Sequence, residues 1–159
     1  MHLLKLVLPL TLLSGSALVA AETAHQHSQH HAEHQTSAAT LSLNHGQKWV
    51  TDAPLRQSMA AIRQALASKL DAIHRRQFSP QQYQALAQLI EQEVEQIVQN
   101  CQLPEAADAQ LHIVVAQLLS GAQHMKADDK PMTGAVQVLQ AVNQYGQYFD
   151  DAGFKPIAH

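Results

Sequence analysis

The chain reads as all-α, an antiparallel up-down-up-down four-helix bundle preceded by a disordered His-rich tail, and three observations predict this. Apolar residues recur at steps of three and four over most of the chain beyond residue 54, which is the period of a helix face and of no strand. The composition is 46% hydrophobic but only 4% aromatic, with six glycines in 159 residues, so the core is aliphatic and the backbone is suited to helices. The breaks between the periodic stretches span two to six residues, and connections that short return the chain along its neighbour.

The elements follow in order. Helix one is expected from Pro54 to Arg75, with Thr51 or Asp52 as its cap and Pro54 in the first turn, where a missing N–H costs nothing. Its stripe is Leu55, Met59, Ile62, Leu66, Leu70 and Ile73. The second begins at Ser79-Pro80-Gln81-Gln82, a capping box, and buries Tyr83, Leu86, Ile90, Val94, Ile97 and Cys101. Pro104 opens the third, with Glu105 and Asp108 near its positive pole. Its stripe is Leu111, Val115, Leu118, Ala122 and Met125, widened by Val114 and Leu119. The fourth is expected from about Met132 to Asp150, burying Ala135, Leu139, Val142, Tyr145 and Phe149, with Gly153 as a stop.

Ahead of the helices lie two segments of another character. A short basic start and an apolar run from Leu6 to Val19, ending in Val19-Ala20-Ala21, read as a signal peptide spanning residues 1–21, too short for a stable membrane span. Residues 22–43 form the His-rich segment and 44–157 the bundle domain. Leu41, Leu43 and Trp49 are candidates to fold back onto the bundle, and Asn44-His45-Gly46 marks a turn. Removal of the leader takes away one of ten basic residues and none of 13 acidic ones, leaving a formal charge of −4. This mild acidity argues against nucleic acid as a partner and against an anionic membrane surface after cleavage. A single cysteine cannot form an internal disulfide, so an exported, periplasmic domain of this kind relies on its packed core.

The chemistry-bearing residues fall into two sets. His25, His27, His30, His31 and His34 place five imidazoles in ten residues with no apolar periodicity, and neutral imidazoles on an unstructured strand can wrap a copper or zinc ion without strain. A plain polar linker is the alternative. The second set follows from topology: the start of helix one, the end of helix two, the start of helix three and the end of helix four share one pole. Met59 lies about 8 Å in from Pro54 and His112 about 12 Å in from Pro104 by helical rise, with Cys101 near the mouth and Tyr145 close by. Thioether, thiol and imidazole suit copper(I), and imidazole with thiolate suits zinc. Asp108, four residues before His112, is placed to fix its tautomer through the carboxylate. Each has a plainer reading: Met59 as flexible core filling, Cys101 as a small buried hydrophobe, and His112 as an interior histidine satisfied by Asp108. His74, His124, Met125 and Met132 form a weaker set at the other pole.

The strings LNHGQKWVTDAPLRQSM, NCQLPEAADAQLH and YFDDAGFKPI resemble a family of small exported proteobacterial His-rich helical proteins of unknown function, sometimes labelled DnrO-like. The likeness covers nearly all of residues 41–157. It implies a periplasmic location and an association with copper or heavy-metal handling, and it carries over no catalytic residue. The architecture also resembles the soluble four-helix b-type cytochromes, where a methionine on the first helix and a histidine on the last hold haem. Met59 matches the first of these, but no histidine lies between Met132 and Gly153, so His112 would have to substitute. No nucleophile–base pair, triad or phosphate loop is evident, so the expected function is metal capture rather than catalysis. A periplasmic helical adaptor that binds a protein partner, with the tail as tether, is the second expectation, and a haem-binding electron-transfer protein the third.

Overall fold

The computed structural model describes residues 40–127 and 130–158. Within them the chain is all-α, with five helices: α1 Ala53–Ala67, α2 Leu70–His74, α3 Pro80–Asn100, α4 Glu105–Lys126 and α5 Pro131–Tyr148. None of the helices among the described residues is long and apolar enough to cross a membrane. The expected leader and the five tail histidines lie outside the described residues.

The ends of the helices are set by local chemistry. Asp52 is extended (φ −105°, ψ 175°) and its Oδ1 accepts from Leu55 N–H, so the choice left open between Thr51 and Asp52 falls on Asp52. Ser79 completes the capping box: Gln82 N–H donates to Ser79 Oγ, and Ser79 N–H donates back to Gln82 Oε1 at 2.7 Å. α3 stops at Cys101, which turns extended, and Leu103 precedes a proline that disfavours helical dihedrals there. Glu105 and Asp108 begin α4 while His124 and Lys126 end it, a charge order that complements the helix dipole. Asn44 and Gln47 exchange two backbone hydrogen bonds across His45 and Gly46, both at positive φ, which confirms the turn.

The first helix is not continuous, a correction to the expectation of one helix over Pro54–Arg75. Ser68 Oγ donates to the carbonyl of Ala65, and Lys69 N–H turns to the carbonyl of Leu66, an i−3 bond that tightens the chain. The helix resumes at Leu70 for five residues and ends in a Schellman motif, with Gln77 N–H on Ala72 O, Arg76 N–H on Ile73 O and Arg76 at φ 57°.

Every predicted stripe contributes to the core. Leu55, Met59, Ile62 and Leu66 from α1, Ile90, Val94 and Ile97 from α3, and Val114 and Leu118 from α4 are all fully or almost fully buried. Burial of each such side chain stabilises by about 1.5–3 kcal/mol. α4 packs most extensively on α5 and then on α3, while α1 lies chiefly on α3. Glycine makes the α4–α5 approach possible: a Cβ on Gly134 would collide with Gly121 O and stand 2.6 Å from Met125 N.

Outside the helices, two segments clasp the core. Trp49 N–H donates to Tyr148 O and its carbonyl accepts from Asp150 N–H, each at 2.8 Å, while Trp49 Nε1 donates to Ser42 O. Leu41 is buried and Trp49 half-buried, but Leu43 is exposed, so of the three candidates two fold back. After α5, Phe154 seats over Gly146, and Asn143 exchanges two hydrogen bonds with the backbone of Ile157.

Candidate metal centre

Three helix ends are tied together by hydrogen bonds, and a fourth meets them across a cavity. Asp52, the first-turn cap of α1, accepts from Cys101 Sγ at 3.4 Å through Oδ1 and from Gln102 N–H at 2.6 Å through Oδ2, which fastens α1 to the end of α3. Thr51 Oγ1 donates to Asp150 O at 2.6 Å, which brings in the end of α5. Cys101 then shares the lining of a cavity of about 200 Å³ with Ile97, Val98, Asp108, Leu111 and His112, which adds the start of α4.

His112 sits at the open side of this cavity, its side chain 71% exposed. Its Nδ1 lies 2.9 Å from the backbone carbonyl of Asp108 and 3.4 Å from Asp108 Oδ2. A carbonyl oxygen only accepts, so Nδ1 carries the proton and the lone pair of the neutral ring is on Nε2. The tautomer is thus fixed mainly by the backbone of Asp108, where the sequence pointed to its carboxylate. It is the tautomer a metal ligand needs, with the other ring nitrogen held by a carbonyl. The alternative of a satisfied interior histidine does not describe this exposed ring.

Cys101 is half-buried and free. Burial, the hydrogen bond to Asp52 and the nearby charges of Asp52 and Asp108 push its thiol up to about 12. At neutral pH it is therefore a protonated donor, and a metal would have to displace that proton to gain a thiolate. Burial raises the Asp52 carboxyl, but hydrogen bonds from Gln102 N–H, Leu55 N–H and the Cys101 thiol outweigh it, and the net pKa lies below the ordinary 3.8.

Other predicted residues stand apart. Met59 is fully buried in the core and is not part of the cavity lining. Tyr145 is also buried, its hydroxyl donating to Asp151 Oδ2 at 3.1 Å. Burial first, then the charge of Asp151 and the bond to it, holds that phenol well above its usual range. At the weaker pole, His124 Nδ1 meets Gln137 Oε1 at 2.9 Å, Met125 is buried, and His74 and Met132 are exposed. No cluster of three or more His, Cys, Asp or Glu side chains arranged to hold a metal ion occurs among the described residues. The residue that sequence reasoning missed at this site is Asp52, recognised only as a cap. Its signal was a carboxylate beside the helix start at the same pole as Cys101.

No protein-family model, curated protein or solved structure matches the chain.

Proposed function

We propose that this chain is a periplasmic protein that captures or buffers copper or zinc, with the tail histidines His25, His27, His30, His31 and His34 as principal donors and the Cys101–His112 pole as a second, separate point of metal contact. In this reading the fold is an antiparallel up-down-up-down four-helix bundle in which α1 and α2 together form one broken arm. The observation that carries the proposal is His112: a ring exposed to solvent, its Nδ1–H committed to a carbonyl, its Nε2 lone pair available beside a thiol.

A tetrahedral ion takes four donors, and the five imidazoles within ten residues of the tail supply that number.

Titration calorimetry with copper and zinc on the mature chain, on a form lacking residues 22–40, and on Cys101→Ser and His112→Ala tests the proposal. Tight binding by the full chain that weakens about tenfold in His112→Ala and falls further without the tail is the expected pattern. Failure of every form to bind either ion more tightly than about 10 μM rejects it. Metal analysis of protein isolated from periplasm identifies the ion.

A second reading is a helical adaptor, supported by Val98, 68% exposed at the rim of the same cavity. It predicts a protein partner whose binding survives chelator.

A further inference from the structure

On the face of α1 away from the core, the sequence repeats Arg-Gln at a spacing of seven residues, Arg56-Gln57 and Arg63-Gln64, with Ala60 between them. Seven residues are close to two full turns, so the pairs lie on one face about 10 Å apart along the axis. The segment 151–155 runs beside this face, and together they enclose an open groove of about 610 Å³. That volume lies in the range of small-molecule sites.

The groove is built rather than incidental. Arg56 Nη1 donates to Thr51 O at 2.9 Å and to Thr51 Oγ1 at 3.1 Å, which holds one guanidinium in place. Arg63 Nε donates to the carbonyl of Lys155, which holds the other. The opposite wall is fixed by Phe154, which packs edge-on against Tyr145 at 5.1 Å and occupies the space a side chain on Gly146 would take.

Its charge is unlike that of the chain. Arg56, Arg63 and Lys155 contribute three cations to the lining, and Asp151 is the one acid among the described residues there. The Asp151 carboxylate already accepts from Tyr145 Oη and Gly153 N–H. None of the ion pairs among the described residues involves any of the three cations. A protein with a net charge of −3 thus concentrates unpaired positive charge in one walled groove, with a small alanine at its floor and a phenylalanine on its side.

We propose that this groove binds a small linear organic dicarboxylate, one acid group at the Arg56 end and one at the Arg63 end, with its apolar middle over Ala60 and against Phe154. Guanidinium forks match carboxylates through paired hydrogen bonds, and separated anchors select for length as well as charge. This site does not depend on the metal reading.

Calorimetric titration of the mature full chain with succinate, adipate and suberate, set against hexanoate and inorganic phosphate, tests the proposal. EDTA is present throughout, so that a tail-bound ion cannot recruit the carboxylates. One dicarboxylate is expected to bind at least tenfold more tightly than hexanoate, with Arg63→Gln and Arg56→Gln each reducing it to the hexanoate level. Lys155→Ala keeps the carbonyl that holds Arg63 and is expected to cost several-fold, whereas Arg75→Gln, at the C-cap of α2, leaves binding unchanged. If Arg56→Gln fails to fold for want of its Thr51 anchor, Arg63→Gln and Lys155→Ala decide the matter. Equal affinity for dicarboxylate and hexanoate, phosphate binding as tight as that of the best dicarboxylate, or an equal loss in Arg75→Gln would overturn the proposal.

Discussion

The side chains of Asp52 and Cys101, 49 residues apart, meet where α1 begins and α3 ends, the thiol donating to the carboxylate at 3.4 Å. One carboxylate therefore caps a helix, ties down the backbone of Gln102 and suppresses ionisation of the cysteine.

Removing that charge should release the thiol. Asp52→Asn keeps a cap but withdraws the negative field, so alkylation of Cys101 by iodoacetamide at pH 8 is expected to speed up severalfold over the wild type. Asp52→Ala loses the cap and the charge-assisted bonds together and is expected to cost about 2–3 kcal/mol in urea unfolding. An unchanged alkylation rate in Asp52→Asn would show that burial and the Asp108 charge, and not Asp52, govern the thiol.

Acid stability follows from the same carboxylate. The folded-state pKa of Asp52 lies below its ordinary 3.8, so the folded form holds the charged state more favourably than the unfolded chain does. The associated stability is present above that ordinary value and is lost as pH falls through the folded pKa. Urea midpoints measured from pH 6 down to pH 3 are expected to decline less steeply for Asp52→Asn than for the wild type.

At high pH the burden shifts to Cys101 and Tyr145, both raised above their ordinary values, and Tyr145 can be isolated by substitution. Its folded pKa is raised above the ordinary 10.0, so its contribution is complete below pH 10 and is lost as pH rises beyond it, where the unfolded chain ionises and the folded one does not. The slope approaches about 1.4 kcal/mol per pH unit for one such group. Urea unfolding between pH 9 and 11 checks this, with Tyr145→Phe expected to flatten the decline.

The α4–α5 crossing has no room for a methyl group. Gly134→Ala gains about 1 kcal/mol of helix propensity but drives a Cβ to 2.6 Å from Met125 N, and a net loss of about 1–3 kcal/mol is expected. Gly153→Ala is the matched control, since its Cβ would meet only Asp151 Oδ1 at an ordinary 3.7 Å, and it should change thermal stability by less than about 0.5 kcal/mol.

Arg76 occupies the left-handed region at φ 57°, where an L side chain is strained by about 1 kcal/mol. Glycine relieves that strain at some cost in unfolded-chain entropy. Arg76→Gly is therefore expected to raise the urea midpoint by up to about 1 kcal/mol of stability, and Arg76→Val to lower it.

Much of the helical framework was legible because its signals are local. Ser79 with Gln82, the turn at His45-Gly46, and the three-and-four spacing from Leu55 to Leu66 each act within a turn or two of chain. The break at Ser68 was not legible: the apolar stripe continues through Leu70 to Ile73, and only the hydroxyl's choice of the Ala65 carbonyl interrupts the backbone. The clasp by Asn143, Phe154 and Ile157 carries no periodic signature at all.

At the candidate site the division is similar. Cys101, Asp108 and His112 could be drawn to one pole by counting helical turns, and they line one cavity. That Met59 stays sealed in the core, that the backbone of Asp108 sets the His112 tautomer, and that Asp52 joins the set depend on how each helix rotates about its axis.

By itself the sequence determined that the chain forms helices, where most of them start and stop, and which face of each is apolar, because these depend on residues within hydrogen-bonding reach along the chain. Tertiary structure decided which polar groups meet, through contacts such as Asp52 with Cys101 or Lys48 with Gly146, 98 residues apart. Such pairings depend on the rotation and register of packed helices, which are set by the fit of the whole core and leave no mark on any short stretch of sequence.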